Sequence, residues 1–229
     1  MKAIAIILTF LISTNMGFSQ SRKIDIPKNQ NNNDTIYFYK IHDNQLKQLG
    51  LNNLLYKHDS ICFRFWMDYQ VLDFKISKSN RVICDLYSFV WVDPKKGELP
   101  DYKNRKLIFN KVSISDDTSL ILWQKALNLG LFDLPTDSKI NGWVQWCDGI
   151  TYITEYSSDS IYKYSTYGNP NAQADSITEA KKVQEFYHFA DTTIGLQKRF
   201  QRFTNGLPNG RYIYGMIVME KAETKRKKN

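Results

Sequence analysis

Apolar and polar positions change period several times along the chain, and each change marks an element. Residues 61–69 alternate Ile61, Phe63, Phe65 and Met67 with Cys62, Arg64, Trp66 and Asp68, the period of two expected of a strand with one apolar and one mixed face. The same criterion places strands at 35–41, 71–77, 81–92, 106–115 and 212–219, with Lys78-Ser79-Asn80 as the turn between the second and third of these. The stretch 140–167, INGWVQWCDGITYITEYSSDSIYKYSTY, predicts an antiparallel meander of three strands, 143–147, 150–156 and 161–167. Asp148-Gly149 suits a type I′ hairpin turn, in which both central residues take positive φ. Period two then sets Ile150, Tyr152, Thr154 and Tyr156 on one face and Thr151, Ile153 and Glu155 on the other.

A period near 3.6 takes over elsewhere. Residues 117–129 carry Leu120, Trp123 and Leu127 at helical spacing behind the N-capping run Asp116 to Ser119. Gly130 suits the left-handed position after such a helix, Leu131 its hydrophobic contact, and Pro135 bars continuation. Residues 176–190 open with Ser176-Ile177-Thr178-Glu179, a capping box, and carry Ala180, Val183, Tyr187 and Ala190 as a stripe. A shorter helix at 196–203 turns Leu196, Phe200 and Phe203 inward, whereas 42–59 is ambiguous, with Leu46, Leu49, Leu54 and Leu55 open to a short helix interrupted at Gly50. The fold class that follows is α+β: an antiparallel sheet, with its meander near 143–167, packed by helices near 117–129 and 176–190 in a single domain spanning 35–220.

The ends change the picture. Lys2, the apolar run 3–12 and the small, polar exit 13–19 have the plan of a signal peptide at 1–19, cleaved after Ser19 or Gln20. That run is too short to span a bilayer, and no later run is long enough, so the mature chain is expected to be exported, periplasmic or secreted, without a transmembrane segment. Residues 20–34 read as a disordered leader ending in an asparagine-rich run, and 221–229 as a basic tail that supplies part of the formal charge of +8. An exported chain with no nucleic-acid-binding module is not expected to bind nucleic acid.

Candidate chemistry is sparse. Of the three cysteines, Cys62 and Cys84 are the candidate disulfide, with the two pairings to Cys147 and three buried thiols left open. Glu185 and His188 stand one helical turn apart, a spacing that serves metal sites when a second copy faces it, and no second copy exists. Phosphate-loop, dinucleotide, nucleophile-elbow and zinc-protease motifs are missing, so no catalytic residue, metal or cofactor is expected. The candidate binding residues are Trp143, Trp146, Tyr152, Tyr162 and Tyr164, an aromatic platform for an envelope glycan or protein; the competing account is that these rings pack beneath the helices. The expected role is therefore a non-catalytic binding or interaction module, and the alternative is an envelope hydrolase with a carboxylate pair such as Glu155 and Asp148. Five tripeptides of the kind Asp159-Ser160-Ile161 look like the acceptor pattern of an O-glycosylation system of some bacterial envelopes, against which stands ordinary turn and cap chemistry.

Arg64-Phe65-Trp66, GLFDLPT at 130–136, the GW at 142–143 followed by DGITYITEY at 148–156, Asn169-Pro170 and LPNGRY at 207–212 together resemble an uncharacterised family of small exported proteins from Gram-negative bacteria. The resemblance implies export and a single domain, and no activity, substrate or catalytic residue.

Overall fold

The computed structural model describes residues 21–28, 35–56, 61–77, 79–93, 105–146, 148–215 and 217–222. The segment 1–19 read as a signal peptide, the run 29–33, Cys147 and the tail beyond 222 lie outside the described residues. In chain order the elements are β1 (Lys23–Asp25), α1 (Tyr37–Leu49), β2 (Cys62–Met67), β3 (Gln70–Ile76), β4 (Val82–Val92) and β5 (Leu107–Ile114). Then come α2 (Asp116–Asn128), β6 (Thr151–Ser157), β7 (Ile161–Gly168), α3 (Thr178–Ile194), α4 (Leu196–Asn205), β8 (Gly210–Tyr214) and β9 (Ile217–Lys221).

The nine strands among the described residues join one sheet in the order β1-β7-β6-β2-β3-β4-β8-β9, with β5 also pairing β4. Every pairing is antiparallel except that of β1 with β7. Short turns set the registers. Asp68-Tyr69 links β2 to β3, and Asn80, at φ 59, closes the next turn, where Ser77 N–H donates to the Arg81 carbonyl at 2.9 Å. The fold class is thus the α+β one the periodicity predicts.

Both faces of the sheet are covered. On one, Phe63, Phe65, Leu72, Phe74, Leu86, Tyr152 and Tyr167 pack under Leu122, Trp123 and Ala126 of α2 and Val183, Phe186 and Ala190 of α3. On the other, Cys62, Trp66, Val71, Tyr87, Ile153, Tyr162 and Tyr164 pack under Leu46 and Leu49 of α1 and under Leu51 and Leu54 beyond it. Strand β2 is therefore buried along its whole length, not half-buried as its mixed face suggests. Antiparallel sheets commonly leave one face wet, and here α1 removes that option.

Several expectations are corrected by this second layer. Residues 35–41 do not form a strand: α1 starts at Tyr37, because Tyr39, His42, Leu46 and Leu49 line one helical face against the sheet. That burial overrides the strand propensity of the aromatic and β-branched residues before it. The leader is not wholly without order, since β1 lies within it and Arg22 clamps it to the sheet. The last strand is a hairpin, β8 and β9, turning at Gly215 with φ 53. Lys221 belongs to β9 and not to the tail; its ammonium donates to the carbonyls of Thr204, Asn205 and Leu207 at the end of α4, where a cation meets the negative end of the helix dipole.

The helix boundaries divide in the same way. At the end of α2, Leu131 N–H donates to Ala126 O at 3.1 Å and Gly130 N–H to Leu127 O at 2.9 Å, with Gly130 at φ 67, the Schellman arrangement expected from Gly130 and Leu131. The buried stripe of α2 is turned from the expected one: Ser119, Leu122, Trp123 and Ala126 face inward and Leu120 and Leu127 outward. The capping box at Ser176 does not form, as α3 begins at Thr178 behind Ile177 with no side-chain cap.

Candidate functional site

The aromatic residues of the central stretch do not form a platform. Tyr152 sits in the cluster under α2 and α3, whereas Tyr162 and Tyr164 sit in the opposite cluster under α1, and all three are buried. The period of two that makes the strands also sends their rings to opposite faces, and helices cover each face. Trp143 is half-buried against Tyr167, and only Trp146 of the five candidates is exposed, at 56%.

The carboxylates separate as well. Glu155 is 1% exposed and belongs to a row of polar side chains running straight across six strands: Tyr164, Glu155, Arg64, Asp73, Asp85 and Ser113. Tyr162 O–H and Trp66 N–H donate to Glu155 at 2.9 and 3.0 Å, and Arg64 lies 3.4 Å away while donating through Nε to Asp73 at 2.7 Å. His42 of α1, its ring 4.0 Å from that of Trp66, brings Nε2 to 3.7 Å from Glu155. Burial by itself would raise the Glu155 carboxyl; the neighbouring His42, Arg64 and Trp66 outweigh it and hold the group at about 2. Each charge in the row is matched, so the row seals α1 onto the sheet and offers no open carboxylate. Asp148 lies exposed on the loop before β6, so the pair Glu155 with Asp148 is not assembled. Glu185 pairs with Lys125 across α2 and α3 at 2.5 Å, and His188 is exposed beside Tyr187.

Cys62 and Cys84 are not bridged. Strand β3 lies between them, Cys62 facing Lys75 and Cys84 facing Phe74, so the two thiols point to opposite faces of the sheet.

The open features gather at one end of the sheet, where the turn at Asp68-Tyr69, the start of β6, the end of β7 and the turn at Gly215 come together. The described part of the predicted first strand of the meander, 143–146, is here a loop, as is 148–150, because other groups take up its backbone and β2 supplies the partner for β6. Gln173 accepts from Val144 N–H at 2.8 Å and donates to Val144 O at 3.0 Å; Trp143 Nε1 donates to Gly168 O at 3.1 Å. Asn169, in the left-handed region at φ 47, donates its side-chain amide to Asp148 O and its backbone N–H to Ile150 O, the latter at 2.8 Å. The type I′ turn is accordingly not made, and Gly149 takes φ 120. Val144, Trp146 and Ile150 are left exposed on a backbone pinned at several points.

Near this loop Asp68, Tyr69, Tyr187 and Tyr214 are half-buried, and Tyr152 is buried. The rings of Tyr69 and Tyr214 meet edge-on at 5.4 Å, Tyr69 lies 4.1 Å from Phe200, and Tyr152 lies 5.4 Å from Tyr187. Thr151 N–H reaches Asp68 at 3.4 Å, and burial pushes the Asp68 carboxyl up to about 6 against the small lowering by that donor. Neither the pinned loop nor the sheltering of Asp68 was legible in the sequence. Asp68 read as one polar position of a strand, and Gln173 carried no signal at all. Among the described residues no group of acids, histidines and cysteines is arranged to hold a metal ion, and no helix is long and apolar enough to cross a membrane. No known protein-family model matches the chain, and no curated protein matches it.

Proposed function

We propose that the protein is an exported, non-catalytic binding module of the bacterial envelope that holds a glycan or protein partner at the loop end of its sheet. The observation that carries this reading is Trp146, exposed on a loop whose backbone is bonded on both sides of Val144 by one glutamine amide. A large ring held on an ordered backbone loses little entropy when a partner covers it, which is why tryptophan dominates many contact surfaces. Val144 and Ile150 extend the apolar contact. Export is supported by the composition of residues 1–19 and by the resemblance noted above.

The test uses the processed chain and a panel of soluble envelope glycans and envelope proteins, read by tryptophan fluorescence. A binder is expected whose affinity falls at least about tenfold in W146A and less in Q173A, with unchanged far-ultraviolet dichroism. Equal affinity of W146A and wild type would sink the assignment. Recovery of the chain from the producing cell with Met1 still attached would remove the export part.

A further inference from the structure

We propose that Ser176 is a modification site, an acceptor hydroxyl that a glycosyltransferase of the envelope joins to a sugar. The inference rests on the export part of the reading above and adds a covalent partner to it.

The chain has seventeen aspartates and twenty-nine serines and threonines, a composition that by chance yields about one tripeptide of Asp, Ser or Thr, and an aliphatic residue or Thr. It has five, beginning at Asp34, Asp59, Asp159, Asp175 and Asp191. Turn and cap chemistry also favours such sequences, and it accounts for two of the three that lie wholly within the described residues. Asp191 accepts the Gln197 N–H at 2.9 Å at the start of α4, Thr193 donates to Phe189 O at 2.7 Å, and Thr192 is inside α3. In the turn between β6 and β7, Ser160 Oγ shares a hydrogen bond of 3.1 Å with Ser158 Oγ, which also accepts the Ile161 N–H at 3.3 Å. Asp34, Asp59 and Ser60 lie outside the described residues.

Asp175-Ser176-Ile177 is the exception. Ala174 O accepts the Ile177 N–H at 3.0 Å, so main-chain groups close this turn and Asp175 and Ser176 are its two corner residues. Ser176 does not cap α3, and among the described residues its hydroxyl makes no hydrogen bond. Both corner residues are exposed, with Lys181 3.4 Å from Asp175, whereas Ile177 is buried and fixes the turn to the body of the protein. A transferase therefore reaches the hydroxyl and the carboxylate before it from solvent, without unfolding any element.

The reaction is a glycosyl transfer. Ser176 Oγ attacks the anomeric carbon of a sugar activated as a glycosyl phosphate or diphosphate. The carbon–Oγ bond forms, the bond from that carbon to the phosphate oxygen breaks with its electron pair, and the hydroxyl proton passes to a base of the transferase. The product places a bulky, hydrated group on a surface corner, where the fold accommodates it.

The experiment is intact-mass measurement and peptide mapping of the protein isolated from the producing cell. The peptide containing residues 175–177 is expected to exceed its sequence mass by one or more sugar residues. In S176A and in D175N it is expected at its sequence mass, with far-ultraviolet dichroism unchanged. A native peptide at its sequence mass, a phosphate increment in place of a sugar, or a sugar retained in either variant overturns the proposal. The amino terminus separates the two readings. A processed chain without sugar at Ser176 overturns the modification and leaves export standing, whereas an unmodified chain that begins at Met1 overturns both.

Discussion

Arg64 and Asp68 stand four residues apart on alternating positions of one predicted strand, and their environments could hardly differ more. Arg64 is fully buried with Asp73 on one neighbouring strand and Glu155 on the other. Removing one member of such a set leaves an uncompensated buried charge, the strongly destabilising case. Asp68 shows the uncompensated case in the native protein. Its folded value of about 6 lies above the unfolded 3.8, so the folded state holds the proton more tightly. Stability therefore rises as pH falls from above 6 toward 3.8, and the cost of the ionised carboxylate is fully present above 6. D68N is expected to be more stable than wild type near neutral pH by about 1–3 kcal/mol, the difference closing on acidification below the unfolded value. Urea unfolding at two pH values checks this; a difference independent of pH would mean that Asp68 is not desolvated.

At the scale of elements, the terminal strand shows how much one side chain can hold. Strand β1 is three residues long and pairs in parallel with β7, too little to persist by ladder bonds alone. Arg22 secures it, donating to Leu55 O and Ser157 Oγ at 2.6 Å each, and to Leu54 O and Ile161 O at 3.3 Å, with its guanidinium 5.7 Å from the Tyr162 ring centre. In R22A the Lys23 amide, which donates to Ser160 O at 2.9 Å, is expected to exchange with solvent at least about tenfold faster, while amides of β2 and β6 keep their protection. Unchanged exchange at Lys23 would show that β1 is held by other means. Helix α1 carries the complementary lesson: its start has no side-chain cap and no acidic residue in its first turn, so it is held by its buried face.

For the whole molecule, the decisive fact is that one sheet has two covered faces. Residues that alternate along one strand are thereby committed to different cores, Phe63 and Phe65 of β2 to one, Cys62 and Trp66 to the other. Cys62 and Cys84 lie on β2 and β4 with β3 between them, roughly 10 Å apart by strand spacing, beyond the reach of a disulfide. Peptide mapping of the unreduced protein is expected to yield no Cys62–Cys84 link, and finding one would refute the strand order.

What the chain alone determined is whatever depends on near neighbours. Alternation placed β2, β3, β4, β6 and β7 close to their observed bounds, and Gly130 with Leu131 marked the end of α2, because strand period and helix termination are settled within a few residues. Burial was not settled there. Whether Arg64 and Glu155 face water, whether residues 35–41 extend or coil, and whether residues 143–147 join the sheet depend on α1, β2 and Gln173, which are distant in sequence. Side chains respond to the neighbours that folding brings to them. The aromatic rings of the central strands went inside for that reason, and Asp68 and Trp146 were left at the open end.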